Sequence, residues 1–149
     1  MRAVIQRVES ASVKVDTQLI SKIGKGILVF IGVGKEDTER DADYVASKII
    51  GLRMFEDNEG KMNLSLADIN GQALIVSQFT LFGDCRKGKR PSFESAAGKE
   101  RAKALYEYLV EKCKQSNLVI GKGVFRESML VDLVNAGPVT ILLDSKKIF

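Results

Sequence analysis

The chain has 149 residues, of which 45% are hydrophobic and 28% charged, with two prolines, no tryptophan, no histidine and a net charge of +4. That length and balance suit one soluble folded domain over 1–149, and they exclude a disordered chain and a membrane-spanning one. Without histidine there can be no Ser-His-Asp or Cys-His nucleophile, no HExxH zinc site and no imidazole general base.

Two cysteines, Cys85 and Cys113, cannot supply a four-cysteine zinc site and are too few to staple a secreted mini-protein. A reduced, cytoplasmic compartment is expected, with no metal and no cofactor. The start of the chain, Met1 to Arg7, has no apolar stretch of signal-peptide length.

Apolar and polar residues alternate with period two over Arg2–Val8 and again over Ala11–Val15, which predicts two half-buried strands with a break at Ser10. Leu19–Ile23 is a third short strand. After the Gly24-Lys25-Gly26 turn, Ile27–Val33 is apolar on both faces, as in a central buried strand. Thr38 with Asp41 three residues on has the form of a capping box. Ala42, Val45, Ala46, Ile49 and Ile50 then make one apolar face of a helix ending near Gly51, where glycine suits a left-handed cap.

Leu52–Phe55 is a short strand candidate before the Asp57-Asn58-Glu59-Gly60 turn, and Asn70-Gly71 signals another turn before a long strand over Ala73–Phe82. A second helix fits Lys99–Gln115, with Cys113 on its apolar face and so a core residue. Strands follow at Leu118–Ile120, Met129–Val134 and Val139–Leu143. Two helices inserted into a strand-rich chain give an α+β class, a mixed sheet with helices packed on one side.

Three segments stand out chemically. Between Arg86 and Lys103 seven basic residues meet two acidic ones, a local charge of +5 against −1 for the rest of the chain. Such a segment is either a solvated loop or a surface that ion-pairs with phosphates. Ser77-Gln78-Phe79-Thr80-Leu81 places two hydroxyls and an amide at the end of an apolar strand, as a satisfied buried set or as the wall of a pocket. Thr80 has no histidine to take its proton, so an activated nucleophile is disfavoured. In Asn135-Ala136-Gly137-Pro138-Val139-Thr140, proline between two strand candidates marks a turn, an edge or a cis bond, and the residues alone leave the isomer open.

Gln6-Arg7-Val8, Gly60-Lys61-Met62-Asn63, Ser77-Gln78-Phe79-Thr80-Leu81, Arg90-Pro91-Ser92-Phe93 and Asn135 to Thr140, in that order, closely resemble the bacterial-type D-aminoacyl-tRNA deacylase (D-tyrosyl-tRNA deacylase) family. The resemblance implies a cytoplasmic homodimer with a small, sheet-rich, barrel-like α/β fold. It would hydrolyse the ester of D-aminoacyl-tRNA, and of mischarged glycyl-tRNA. It also implies that Gly137-Pro138, in cis form and braced by Arg7, reaches into the partner's pocket and repels L-aminoacyl groups.

In the same reading Ser77, Gln78, Phe79 and Thr80 line the catalytic site, and Met129 contributes a wall. The tRNA's own terminal 2′-hydroxyl and the backbone amides around Phe79 and Thr80 assist the reaction. Arg86, Lys87, Lys89 and Arg90, with Lys99 and Arg101, are the candidate contacts to tRNA phosphates. The alternative class is a non-catalytic nucleic-acid-binding homodimer on the same scaffold. Arg126 and Glu127, where members usually carry small residues, and Ala136, where an acidic residue is frequent, depart from the pattern.

Overall fold

The computed structural model describes residues 1–148. A long first strand, β1 (Arg2–Val15), organises a six-stranded sheet with β2 (Gln18–Ile23), β3 (Gly26–Gly32), β6 (Gln72–Ser77), β7 (Ile120–Lys122) and β8 (Met129–Asp144). Its halves pair antiparallel with β3 and β2 on one edge, and its whole length pairs with β8 on the other. The β3–β6 and β6–β7 pairs are parallel. Between them lies the helix α1 (Glu39–Gly51), while β4 (Phe55–Glu56) and β5 (Met62–Leu64) form a separate hairpin and α2 (Lys99–Lys114) precedes β7.

The sheet curls into a nearly closed barrel. A Cβ on Gly121 of β7 would sit 2.3 Å from the Ser21 hydroxyl of β2, so the two ends of the strand order lie against each other.

Alternation along the strands feeds two cores. Ile27, Val29 and Ile31 of β3 and Ala73 and Ile75 of β6 face the helices, where Val45, Ile49, Leu109, Val110 and Cys113 complete one cluster. Leu28, Leu74 and Val76 face the inside of the curl and pack with Val8, Ala11, Val13 and Ile23. Because β3 is buried on both faces it has no polar alternation, as its sequence suggests. Burial also pushes the Cys113 thiol up to about 12 and keeps it inert in the core.

The α1 start is the expected one, with the Asp41 carboxylate accepting from the Thr38 N–H at 2.8 Å and from its hydroxyl at 3.0 Å. Gly51 is the last helical residue, but the chain leaves through Leu52 in an extended conformation rather than through a left-handed cap. The strand expected over Leu52–Phe55 is reduced to Phe55–Glu56, and β5 was not foreseen.

The other differences have local causes. Ser10 is no break: β1 continues through it, with register shifts on either side of Val8 that turn the inward face from Ile5 to Ala11. The strand expected over Ala73–Phe82 ends at Ser77, because its partner β3 ends at Gly32 and the Gln78 N–H makes the last ladder bond, to Ile31 O at 2.7 Å. The next four residues, Phe79–Phe82, form a 3₁₀ turn closed by Leu81 N to Gln78 O and Gly83 N to Thr80 O. The Leu118–Ile120 strand is displaced to Ile120–Lys122, and the two expected strands around Gly137-Pro138 are one, β8.

Candidate functional site

β6, the 3₁₀ turn and the segment 92–99 enclose a cavity of about 690 Å³ beside the end of β3. Ser77, Gln78 and Phe79 line it from one side and Met129 from another, so four of the expected site residues come together. Its volume falls within the range of pockets that bury small ligands. The segment 92–97 is held over it by Lys35 N to Ser95 O at 3.1 Å and Ala97 N to Val33 O at 2.9 Å. Phe93 from this segment meets the Phe79 ring edge-on, with centroids 5.0 Å apart.

Thr80 stands just outside the lining and is exposed. Its hydroxyl oxygen accepts a hydrogen bond from the Gln78 side-chain amide. A neutral carboxamide in either orientation is no base, so no described residue activates this hydroxyl as a nucleophile. The N–H groups of Phe79 and Thr80 make no hydrogen bond with any other described residue. Two amide donors without a partner among the described residues thus stand side by side at the edge of the cavity, an arrangement able to stabilise a developing oxyanion.

Arg7, Gly137 and Pro138 lie apart from that lining. Gln6 pairs with Thr140 and Val8 with Asn135, so residues 136–139 of β8 bow out of the ladder opposite the single residue Arg7. The Arg7 guanidinium donates to Ala136 O at 2.8 Å and to Met54 O at 2.9 Å, and lies 3.6 Å from Glu56. Asn135 caps the bow from within, its Oδ1 accepting from Val139 N–H at 2.8 Å. Gly137 has φ +135° and leaves no room for a side chain beside the Arg7 guanidinium, so glycine is required there. The Gly137-Pro138 bond is cis, and both residues are exposed.

Arg86, Lys87, Lys89 and Arg90 lie on the exposed loop after the 3₁₀ turn. Arg86 is already engaged: its guanidinium donates to Asp84 at 2.9 and 2.7 Å and holds that carboxyl down at about 2.

Sequence reasoning missed Lys35, Glu94, Ala96, Ala97, Tyr106 and Phe125 as parts of the cavity wall. Tyr106 lies on the same apolar face of α2 as Cys113. It is fully buried and donates its hydroxyl to Ile75 O at 2.8 Å, and burial raises its pKa. The usable signal was the run Ala96-Ala97-Gly98, small residues immediately before a helix, which leave space at the helix start.

Among the described residues no three potential ligands cluster to hold a metal ion, and no helix is long and apolar enough to cross a membrane.

The family model for D-Tyr-tRNA(Tyr) deacylase matches residues 4–144. A relative from Thermosipho melanesiensis named D-aminoacyl-tRNA deacylase is 61% identical over 150 residues, spanning all of both chains. A solved structure named c-Myc DNA Unwinding Element Binding Protein superposes with a TM-score of 0.91 at 41% identity, over 97% of this chain and 98% of the other. Another, described as a probable eukaryotic D-amino acid tRNA deacylase, has a TM-score of 0.82 at 17% identity over 95% and 97% of the two chains, and likens the fold alone. With a family model spanning nearly the whole chain and a full-length relative at this identity, the chain belongs to the D-Tyr-tRNA(Tyr) deacylase family.

Proposed function

We propose that the chain hydrolyses the ester linking a D-amino acid, or glycine, to the 3′ end of tRNA, and spares L-aminoacyl esters. The observation that carries this reading is the pair of unpaired N–H groups at Phe79 and Thr80 beside the cavity. An aminoacyl ester is already activated, so donors aimed at the carbonyl oxygen, with the substrate's own 2′-hydroxyl, suffice without a histidine or a metal. Gln78 and Thr80 then position the ester, and Ser77 and Met129 shape the cavity.

The cavity and the Gly137-Pro138 bow are separate within one chain, which supports a homodimer in which each bow completes the partner's site. The outer face of β8 supports it as well: Leu130, Val134 and Leu142 are each more than half exposed, an apolar stripe on the strand that carries the bow. Selectivity in this arrangement is steric, since carbonyls held at the substrate's α-carbon collide with an L side chain. Lys87, Lys89 and Arg90 face tRNA phosphates. A protein of this kind works in the cytoplasm.

A second reading is a non-catalytic nucleic-acid-binding homodimer, favoured by the name of the solved relative at 41% identity together with the basic segment 86–103.

The test is deacylation of D-tyrosyl-tRNA and L-tyrosyl-tRNA side by side, with a chelator present. Rapid loss of the D-ester alone supports the deacylase, and Thr80→Ala is expected to keep measurable turnover, reduced by roughly tenfold or more, as for a positioning group. A complete loss would make Thr80 the nucleophile. Binding of tRNA with neither ester cleaved would favour the second reading.

A further inference from the structure

Arg126 has no role in the site as described, yet its side chain lines the same cavity as Ser77, Gln78 and Phe79. It sits in a tight turn, with Glu127 N–H donating to Val124 O at 3.3 Å, and has φ +69°, a conformation uncommon for any residue but glycine, asparagine or aspartate. The turn would close more easily with a glycine. An arginine in such a turn puts a cationic residue on the cavity wall.

Two further cationic residues line the cavity from other elements: Lys35, three residues beyond β3, and Lys99, the first residue of α2. Glu94 and Glu127 share the lining. None of the five side chains makes a hydrogen bond or an ion pair with any other described residue. The lining therefore holds five charged residues unpaired among the described residues, with one cation in excess.

We propose that Arg126, flanked by Lys35 and Lys99, receives the phosphodiester joining the reacting nucleotide to the rest of the RNA strand. This inference rests on the deacylase reading. If the ester lies against Phe79 and Thr80 and its nucleoside fills the cavity, the phosphate of that nucleotide must leave through the mouth. It carries a full negative charge and two free oxygens, which a guanidinium fork meets bidentately and a lysine meets only as a point charge. Arg126 is then a specificity-determining residue of this chain for esters carried on RNA, as opposed to those of a bare nucleoside.

The experiment compares D-tyrosyl-tRNA with the D-tyrosyl ester of adenosine, which lacks the phosphate, for the unsubstituted protein, Arg126→Asn and Arg126→Lys. Asparagine tolerates the left-handed backbone, so Arg126→Asn removes the cation without straining the turn. Arg126→Asn is expected to raise KM for the tRNA ester roughly two- to fivefold more than for the adenosine ester, and to lower the slope of log KM against log salt by about 0.7. Arg126→Lys should recover part of the difference. Equal effects on the two esters, or none on either, would overturn the proposal. If the unsubstituted protein cleaves neither ester, the deacylase reading fails and this inference falls with it. Cleavage of both with no Arg126 dependence removes the inference alone.

Discussion

Lys35 and Asp37 stand two residues apart after β3 and meet opposite fates. The Asp37 carboxylate is buried and takes the Met1 α-ammonium at 2.6 Å and the Gly34 N–H at 2.6 Å, while its main-chain oxygen accepts from Arg101 at 2.6 and 3.2 Å. Around it Ser145 bridges the Met1 ammonium to Asp41, and Lys146 closes on Asp41 at 2.7 Å. Lys35 is exposed on the cavity, and its ammonium has no partner among the described residues. Two residues of chain thus separate a cluster whose charges hold β1, α1 and the end of β8 together from a cavity wall whose charges have no partner among the described residues. Pairing, more than the presence of charge, distinguishes architecture from recognition in this molecule.

The sharpest way to break that comparison is Asp37→Ala. Removing one partner leaves the Met1 ammonium buried and uncompensated, which costs about 3–5 kcal/mol of unfolding free energy. Urea unfolding is expected to show that loss, while turnover per folded molecule at low temperature stays close to that of the unsubstituted chain. A fall in kcat with unchanged stability would place Asp37 among the functional charges and dissolve the distinction.

Asp41 sharpens the same contrast through pH. Burial raises its pKa, but hydrogen bonds from Lys146, Ser145 and Thr38 outweigh that and hold the folded-state value well below the ordinary 3.8. A carboxyl depressed on folding stabilises the protein above its unfolded pKa, and that contribution is lost as pH falls through the folded value. Asp41→Asn is therefore expected to cost about 2 kcal/mol near neutral pH, with the gap to the unsubstituted protein closing below pH ~4. A gap that stays constant from pH 7 to pH 3 would mean that the Asp41 charge contributes nothing.

How much of this the sequence disclosed follows the range of the interactions. Helix α1 and the central strand β3 are legible because their signals are local: Thr38 and Asp41 lie three residues apart, and β3 shows an unbroken apolar run. The bow in β8 is not legible from the residues around Pro138, since what shapes it is Arg7, 129 residues away from Ala136. The 3₁₀ turn is hidden for a related reason. Phe79 to Phe82 carry strand-like residues, and only the end of β3 alongside them stops the ladder. The site divides in the same way. Ser77, Gln78 and Phe79 are legible as a motif and Met129 through the family resemblance, whereas Lys35, Glu94 and Tyr106 join the cavity wall only when β3, the 92–97 segment and α2 are packed together. Arg126 and Glu127 registered in the sequence as departures from a pattern, and the structure places both on that wall.

The smallest expected effect tests the contrast at its weakest point, the Asp84–Arg86 pair. By distance it matches the Lys146–Asp41 bridge, at 2.7 Å, yet Arg86 is 88% exposed and its carboxylate partner 37%. Two charges so open to water gain little from meeting, because solvent and salt screen them and both side chains lose freedom. Asp84→Asn should therefore leave the unfolding midpoint unchanged. It should also free the Arg86 guanidinium and make the loop one charge more positive, so tRNA affinity is expected to rise by roughly twofold, with a steeper dependence on salt. A melting shift comparable to that of Asp37→Ala would show that an exposed pair can hold the fold as a buried one does. Unchanged affinity and salt dependence would show that the Arg86 side of the loop turns away from the RNA, leaving Lys87, Lys89 and Arg90 to make the contact.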